Sequence, residues 1–438
     1  MKRFFHIASR CSVALFALLT TLFIMTSCKG KVLSPEETLT VKLDSLFNER
    51  YAVNGNDSLS YAYPGGAVLI MKGDSIIYDK SWGVANYDNN TKIDGNTFFN
   101  IASVSKQFTA TSILKLAEEG KLSLDDTLDK YFPDFKNPLF KKIKIKHLIS
   151  HSSGIPDSRP RDDRNFVLTA TDMQCIEYMK NLKELNFEPG TAYEYMNPTF
   201  QLLYAIIERV TGESFDAFQR ETIFNPAGME QTLYFSADAE IPNMAHGYIL
   251  EEESNKDNSD SDLTPEALAA KAAMKSQMES KSFTPIAGGP TFSEYDYGEE
   301  TFFATKADGG IYTSTHEFAK WEKALRDNKI ISKESKECAH SKINPVSGSK
   351  FSGYQNRPDT WYGYGWFIED KEGMPYKVYH TGDNGGFQIY AGRFPEKEIL
   401  VLVFENRNDL DRWSMVKRID ALLKEVNFLE KESEITKQ

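Results

Sequence analysis

The sequence is poor in cysteine, which excludes a framework built from disulfides. It holds 4 cysteines among 438 residues, and Cys11 and Cys28 lie near the start of the chain. Small disulfide-dependent domains carry several cysteines that bridge much of their length. The remaining Cys175 and Cys338 could pair in an oxidising compartment. We expect instead that each is a small, buried, apolar side chain.

Histidine is also scarce, and the 51 Lys and Arg are outnumbered by 63 Asp and Glu. None of the 7 histidines forms a His-Glu-x-x-His pattern or another tight metal-binding arrangement. The sequence therefore predicts no metal site and no bound cofactor. The net charge is −12, and no stripe of Lys and Arg occurs. An acidic chain without such a stripe is not expected to bind nucleic acid.

The clearest apolar run lies at the start of the chain. Two basic residues precede an apolar stretch at 13–25, which is the arrangement of an export signal. The stretch ends in Met-Thr-Ser-Cys, which resembles a bacterial lipobox, where the cysteine becomes a lipidated N-terminus. We therefore expect a signal peptide at 1–28, a tether at 29–37 and a lipid on Cys28. An uncleaved membrane anchor is the alternative, although the run is short and interrupted by two threonines.

A lipid on Cys28 would make the mature protein an exported bacterial lipoprotein. It would be anchored in a membrane, on the periplasmic side or at the cell surface. The expected partners are a small-molecule or peptide substrate and, through the anchor, the membrane.

Apolar periodicity divides the rest of the chain into strand-rich and helical parts. A helical pattern near the start leads into an antiparallel meander, and the C-terminal part returns to strands and closes with a helix. This predicts an α/β fold, an antiparallel sheet flanked by N- and C-terminal helices and interrupted by a mostly helical region. The predicted domain, 38–430, comprises an α/β part at about 38–121 and 301–430, a helical part at about 122–250 and an exposed insertion at about 251–300, before a tail at 431–438.

The segment Asn100–Lys106 holds a candidate nucleophile, Ser103, three residues before Lys106. Apolar residues at helical spacing follow, so the pattern predicts a helix from Gln107 to Gly120 with Ser103 at its N-terminus, where the helix dipole favours negative charge. A hydroxyl beside an amine is one way to activate a serine. Only Ser103 both follows an extended run and precedes a helix; the same spacing recurs at Ser112, Ser347 and Ser414.

Two later segments carry polar residues of catalytic type. Tyr195 and Asn197 follow a Pro-Gly turn, and on a short extended piece their side chains would point the same way. A phenol can relay a proton, and an amide can hold a lysine or a carbonyl group. His380 ends a predicted strand before a Gly-rich turn that allows close approach of a ligand. Taken singly, each segment is as well explained by a structural role.

Taken in order, the three segments resemble the signature of the penicillin-recognising serine hydrolases: Ser-x-x-Lys, Tyr-x-Asn and (His/Lys)-Thr-Gly. The Tyr and the Phe-x-Pro-Gly before it are similar to the branch of class C β-lactamases and D-alanyl-D-alanine carboxypeptidases, which also contains esterases and aminopeptidases. The resemblance implies a β-lactamase/transpeptidase-like fold over roughly 40–425. Further segments resemble the same branch: Leu148–Pro156, Asp308–Ser314 and Tyr362–Trp366.

The resemblance also implies a role for each motif residue. Ser103 would be the nucleophile, Lys106 the base and Tyr195 an acid/base. Asn197 would orient the lysine and the substrate, and His380 would act on the substrate and transition state through electrostatics. Asp383 would give a backbone N–H to the oxyanion hole, and Thr381 and Gly382 would bind the substrate.

His380 departs from the pattern, because β-lactamases of this branch usually carry Lys there. A lysine is a cation that can anchor a substrate carboxylate, whereas a histidine is mostly neutral at pH 7. We therefore expect a serine hydrolase that acts by an acyl-enzyme on an ester or a cell-wall-like peptide. The alternatives are a β-lactamase or D-Ala-D-Ala carboxypeptidase, and a non-catalytic sensor or scaffold of penicillin-binding type.

Overall fold

The computed structural model describes most of the predicted domain. It covers residues 33–52, 61–160, 166, 170–235, 241, 243–251, 282–294, 305–347 and 357–430. The predicted signal peptide with Cys28, most of the tether, the tail and the larger part of the insertion lie outside these residues.

The described helices are concentrated in the middle and at both ends of the domain. They are α1 (Pro35–Tyr51), α2 (Lys106–Glu118), α3 (Leu128–Tyr131), α4 (Ile145–Ile149), α5 (Asp172–Met179), α6 (Asn197–Thr211), α7 (Phe215–Gln219), α8 (Asn225–Ala227), α9 (Thr315–Arg326), α10 (Lys333–Ala339) and α11 (Arg412–Glu425).

The described strands lie mainly before α2 and after α9. They are β1 (Gly66–Lys72), β2 (Ser75–Trp82), β3 (Val84–Asn86), β4 (Thr91–Lys92), β5 (Phe99–Asn100), β6 (Leu233–Tyr234), β7 (Tyr248–Leu250), β8 (Ser282–Phe283), β9 (Phe292–Glu294), β10 (Ile311–Thr313), β11 (Asn344–Pro345), β12 (Thr360–Tyr362), β13 (Phe367–Glu369), β14 (Lys377–Asn384), β15 (Phe387–Phe394) and β16 (Ile399–Glu405).

The main sheet has 8 strands in the order β11-β12-β13-β14-β15-β16-β1-β2. Every neighbouring pair is antiparallel. The N-terminal strands thus join the C-terminal ones, and the helical middle is inserted between them. The predicted fold class is confirmed.

Side chains of the central strands alternate between two apolar cores. In β1, Leu69 and Met71 pack against one core, with α2, α6 and α9, whereas Val68 and Ile70 pack against the other, with α1 and α11. A strand buried on both faces has few polar positions, and β1 and β16 indeed read as continuous apolar runs. The helical part and the terminal helices therefore cover opposite faces of the sheet.

α1 is fixed to the sheet by capping, packing and a buried ion pair. Ser34 and Glu37 form a capping box at its start. At its end, Arg50 donates hydrogen bonds to both carboxylate oxygens of Glu405 in β16, each at 2.8 Å. The hydroxyl of Tyr51 donates to the same carboxylate at 2.7 Å. The N-terminal helix is thereby attached directly to a central strand.

Two expectations about the periphery need correction. The predicted exposed insertion includes β8 and β9, but β9 pairs with β7, and Phe292 is buried. Part of the insertion thus belongs to a separate three-stranded sheet, β7-β9-β8. Cys175 and Cys338 are both free; Cys175 is buried as expected, but Cys338 is exposed.

Within the described residues, no helix combines the length and the apolar character that crossing a membrane requires.

Candidate active site

Ser103 lies in a sharp turn between β5 and α2. A 3-10 helix, Ala102–Ser105, precedes α2 directly. Ala102 has a φ of 45°, a left-handed conformation that is costly for a residue with a Cβ. Its N–H donates to Asn100 Oδ1 at 2.8 Å. The predicted helix, Gln107–Gly120, agrees with α2 to within two residues, and Ser103 is half-buried in the tighter 3-10 turn that leads into it.

Lys106, the first residue of α2, is buried beside Ser103. Its Nζ lies 3.0 Å from Ser103 Oγ and donates to the carbonyl of Asp308 at 2.7 Å. Burial lowers the pKa of Lys106 to about 8, with a smaller contribution from the positive charge of Arg159; the carboxylate of Asp308 opposes both. About a tenth of the lysine is thus neutral at pH 7, and that form can accept a proton.

The segment Asp308–Ser314 is attached to the turn and helix that carry these two residues. Thr109 of α2 donates to the carbonyl of Ala307 at 2.8 Å. The N–H of Ile311 donates to Ser105 Oγ at 3.2 Å, and the N–H of Ile101 donates to the carbonyl of Ile311 at 3.0 Å. These bonds hold the acceptor of Lys106 in a fixed place.

Tyr195 lies next to Lys106, with Lys106 Nζ 5.1 Å from the centre of its ring. Asn197 is the first residue of α6, so the expected extended piece ends at Met196. Among the described residues, no hydrogen bond joins Asn197 to Lys106, and the buried Asn197 Oδ1 accepts none. The structure brings Tyr195 to the lysine but does not show Asn197 holding it.

His380 lies within β14 rather than at a strand end, and it is buried. Its Nδ1 is 2.7 Å from the carbonyl of Thr381, which can only accept, so Nδ1 carries the proton. Its Nε2 is 3.1 Å from the hydroxyl of Tyr362, which then donates to it. Burial, together with the charge of Lys106, lowers the pKa of His380 to about 3. The imidazole is neutral, and both of its nitrogens are engaged.

Gly382 brings β14 against the Ser103 turn. A Cβ on Gly382 would lie 2.3 Å from the carbonyl oxygen of Ile101 and 3.1 Å from Ala102 Cβ. The next residue, Asp383, directs its carboxylate away to Arg412 of α11. The carboxylate of Asp383 is thus engaged away from Ser103, and the N–H groups of Ser103 and Asp383 remain the predicted oxyanion hole.

The segment Leu148–Pro156 runs beside the segment that carries Tyr195. Main-chain N–H groups of Asn186, Gly190 and Glu194 donate to carbonyls of the first segment at 2.8, 2.7 and 2.9 Å. Gly154, with a φ of 72°, allows this approach, since a Cβ there would lie 2.2 Å from the carbonyl oxygen of Phe187. Tyr195 is therefore placed by a pair of joined loops.

A family profile described as Beta-lactamase matches residues 43–423, which is nearly the whole described domain. The chain belongs to the Beta-lactamase family. This confirms the resemblance and identifies the chain as a serine hydrolase of that family, with the Ser103–Lys106 pair as its expected centre.

Individual relatives of this Beta-lactamase family member are distant. Penicillin-binding protein 4* of Bacillus subtilis (strain 168) is 26% identical over 351 residues, which cover 78% of this chain and 68% of that protein. The octameric penicillin-binding protein homologue from Pyrococcus abyssi has a TM-score of 0.66 and 25% identity, covering 89% of this chain and 77% of the other. The D-amino acid amidase from Ochrobactrum anthropi SV3 shares the fold, with a TM-score of 0.65 and 20% identity over 90% of this chain and 100% of the amidase.

Sequence reasoning missed several residues of this Beta-lactamase-family site. Spacing gives no signal for Tyr362, whose hydroxyl occupies His380 Nε2, or for Ala102, whose φ is positive. Spacing cannot single out the carbonyl of Asp308 either, because any residue type supplies one. The signal that could have found them is the family resemblance, since His151, Asp308 and Tyr362 each stand in a segment that resembles the family.

One group outside this site has the donor atoms of a metal centre. Asp88, His246 and Glu294 have ligand atoms within 4.8 Å of one another. The N–H of Asp88 donates to Asn86 Oδ1 at 2.7 Å, so Asn86 Nδ2 faces His246 Nε2 at 2.9 Å. The proton of His246 then lies on Nδ1, towards Glu294 Oε1 at 2.6 Å. A metal ion would have to displace that proton, so the arrangement favours a hydrogen-bonded cluster of Asn86, His246 and Glu294 over a metal site.

Proposed function

We propose that Ser103 is acylated by an ester or a cell-wall-like peptide and that water then hydrolyses the acyl-enzyme. The observation that carries this proposal is the buried Lys106 Nζ at 3.0 Å from Ser103 Oγ, with a pKa lowered to about 8. A serine beside a partly neutral amine is an activated nucleophile.

The reaction would proceed in two halves. The neutral Lys106 takes the proton of Ser103 as its oxygen attacks the substrate carbonyl. The oxyanion faces the N–H groups of Ser103 and Asp383, where each such donor typically contributes about 3 kcal/mol. Tyr195 passes a proton to the leaving group as the scissile bond breaks. In the second half, Tyr195 takes a proton from the attacking water, and Lys106 returns its proton to the Ser103 oxygen as the acyl bond breaks.

The state of His380 favours an ester or peptide over a β-lactam. Its imidazole is neutral, its Nδ1 proton is bound to Thr381 and its Nε2 accepts from Tyr362. It offers neither a charge nor a spare N–H to the carboxylate of a penicillin. The name of the Bacillus relative supports the alternative that penicillins bind here, and D-Ala-D-Ala carboxypeptidase activity belongs to the same alternative.

A non-catalytic sensor or scaffold is the second class of function. The presence of the nucleophile and the tyrosine beside the buried lysine favours catalysis over this alternative.

We further propose that a lipid on Cys28 anchors this enzyme in a membrane, on the periplasmic side or at the cell surface. Metabolic labelling with a palmitate analogue should mark the wild type but not Cys28→Ala. Label on Cys28→Ala, or none on the wild type, would refute the anchor.

Turnover of three substrates side by side tests the proposed substrate class. The substrates are p-nitrophenyl butyrate, nitrocefin and a peptide ending in D-Ala-D-Ala, each with Ser103→Ala as the blank. We expect kcat/KM for the ester to exceed that for nitrocefin. The opposite order would contradict the inference that a neutral His380 disfavours β-lactams, and it would make β-lactamase the better description.

A further inference from the structure

His151 touches the chain on both sides of Tyr195. Its carbonyl accepts the N–H of Glu194 at 2.9 Å, and its Nδ1 accepts the N–H of Met196 at 3.2 Å. One residue thus binds the backbone immediately before and immediately after the tyrosine.

The imidazole of His151 also lies against the ring of Tyr195. The two ring centres are 4.2 Å apart, with 39° between the planes. Phe200 and Tyr362 pack on the same imidazole at 5.1 and 4.8 Å, and His151 is only 1% exposed. The tyrosine ring therefore rests on a side chain that has no room to move.

The backbone of His151 is held in an unfavourable conformation. Its φ is 54°, in the left-handed region that only a few per cent of non-glycine residues adopt, Asn, Asp and His more often than the others. Strain of this kind persists only where the surrounding contacts over-determine it. The hydrogen bonds between the two joined loops supply those contacts, and the conformation allows the carbonyl and the ring to reach Glu194 and Met196 together.

The imidazole must be neutral for this arrangement. A backbone N–H can only donate, so Nδ1 is the acceptor and the proton lies on Nε2. Burial, reinforced by the charge of Lys106, holds the pKa of His151 well below its usual value. The hydrogen bond to Met196 is therefore present throughout the neutral range.

We propose that His151 is a positioning residue that sets the place of the Tyr195 phenol for proton transfer. The inference rests on the proposed function, because it is Tyr195 that exchanges protons with the leaving group and water. His151 itself acts through the tyrosine and its neighbours.

Substitutions at position 151 test this role. His151→Ala removes the ring and the acceptor, and a displaced catalytic group of this kind costs about 100-fold in rate. We expect that loss in kcat for p-nitrophenyl butyrate, with KM nearly unchanged. His151→Asn keeps an oxygen near the position of Nδ1 and tolerates a positive φ. It should recover most of the lost rate, whereas failure to recover would count against the proposal.

A double-mutant cycle separates positioning from general support of the fold. If His151 acts through Tyr195, His151→Ala should cause little further loss in a Tyr195→Phe background. Equal losses in both backgrounds would show that His151 acts independently and would overturn the proposal.

A crystal structure of His151→Ala decides the matter without any activity. The proposal requires the Tyr195 ring to be displaced or to adopt several positions. An unchanged ring would refute the role of His151 even in an active enzyme. Absence of turnover and of Ser103 labelling in the wild type would instead refute the proposed function, and the ring position would still decide for His151.

Discussion

Lys106 combines complete burial with two hydrogen bonds, to Ser103 Oγ and to the carbonyl of Asp308. Burial disfavours its charged form, while the carbonyl and the carboxylate of Asp308 favour it. The balance sets the pKa of Lys106 at about 8, within reach of ordinary assay conditions. The same lysine, together with burial, keeps His380 neutral.

Acylation of Ser103 should therefore rise with pH through a midpoint near 8, the pKa of Lys106. Below the midpoint, the lysine keeps its proton and cannot take that of Ser103, so the rate falls about tenfold per pH unit. The measurement is the rate of labelling by a fluorophosphonate from about pH 6 to about pH 10. A flat profile, or one that falls as the pH rises, would contradict this role for Lys106.

Replacing His380 by lysine should shift the preference towards penicillins. A hydrogen bond to a charged group contributes about 1.5–3 kcal/mol, which corresponds to about a 10–100-fold gain. We expect a gain of that size in the acylation rate by benzylpenicillin, relative to p-nitrophenyl butyrate, for His380→Lys.

His380→Gln is the matched control, because it stays neutral and should leave the preference unchanged. Equal penicillin acylation by the lysine and glutamine variants would show that charge at position 380 does not set the substrate class.

Among the elements, the contact between β14 and the Ser103 turn is the one that assembles the site. This contact requires a glycine at position 382, since a Cβ there would lie 2.3 Å from the carbonyl oxygen of Ile101. The strand thereby places His380 and the backbone of Asp383 against the turn.

Gly382→Ala should therefore loosen the site as well as the fold. Forcing extra volume into a close contact costs about 1–3 kcal/mol in the free energy of unfolding, and we expect at least a tenfold loss of ester turnover with it, since a small misplacement is already costly. Urea denaturation and kcat/KM are the two measurements.

Gly309→Ala is the control for this change. A Cβ on Gly309 would have its nearest neighbour at 3.8 Å, an ordinary contact. Its stability should stay within about 0.5 kcal/mol of the wild type. If both variants lose the same stability, the contact of Gly382 is not the cause.

At the scale of elements, the sequence predicted the order of the helices and strands better than their first and last residues. Apolar periodicity marked α2, α6 and the central strands, because these bury regular faces. It could not show that Ser103 lies in a 3-10 turn before α2, since apolar periodicity carries no signal for the hydrogen bond from Ala102 N–H to Asn100 Oδ1 in that turn. It also missed that β14 continues through His380 to Asn384, because pairing with β15 overrides the local glycine signal.

Across the whole molecule, the two ends of the domain meet on one face of the sheet. The family motifs predicted which residues share the site, because the order of the motifs along the chain corresponds to the order of the elements in the fold. They did not predict the pair of Arg50 and Glu405, whose partners are 355 residues apart with no spacing rule between them. That pair attaches α1 to β16 in a buried setting, with 8% and 1% of the two side chains exposed.

Glu405→Gln should therefore destabilise the fold as a whole. Breaking one partner of a buried ion pair costs about 3–5 kcal/mol, which should appear as a lower denaturation midpoint with native kcat for the folded fraction. Glu49→Gln removes a matched exposed pair with Arg418, where 66% and 48% of the side chains are exposed. It should change the free energy of unfolding by less than about 1 kcal/mol. An equal loss in both variants would contradict the claim that burial makes the pair of Arg50 and Glu405 important for stability.

The central claim is a covalent acyl-enzyme on Ser103, and intact-mass spectrometry tests it most directly. Purified protein would be treated with a fluorophosphonate and, separately, with a fluorescent penicillin, and compared with Ser103→Ala. The account predicts a single adduct on the wild type from at least the fluorophosphonate, located on Ser103 by peptide mapping and absent from the variant. No adduct from either probe, or an adduct that persists in Ser103→Ala, would contradict it.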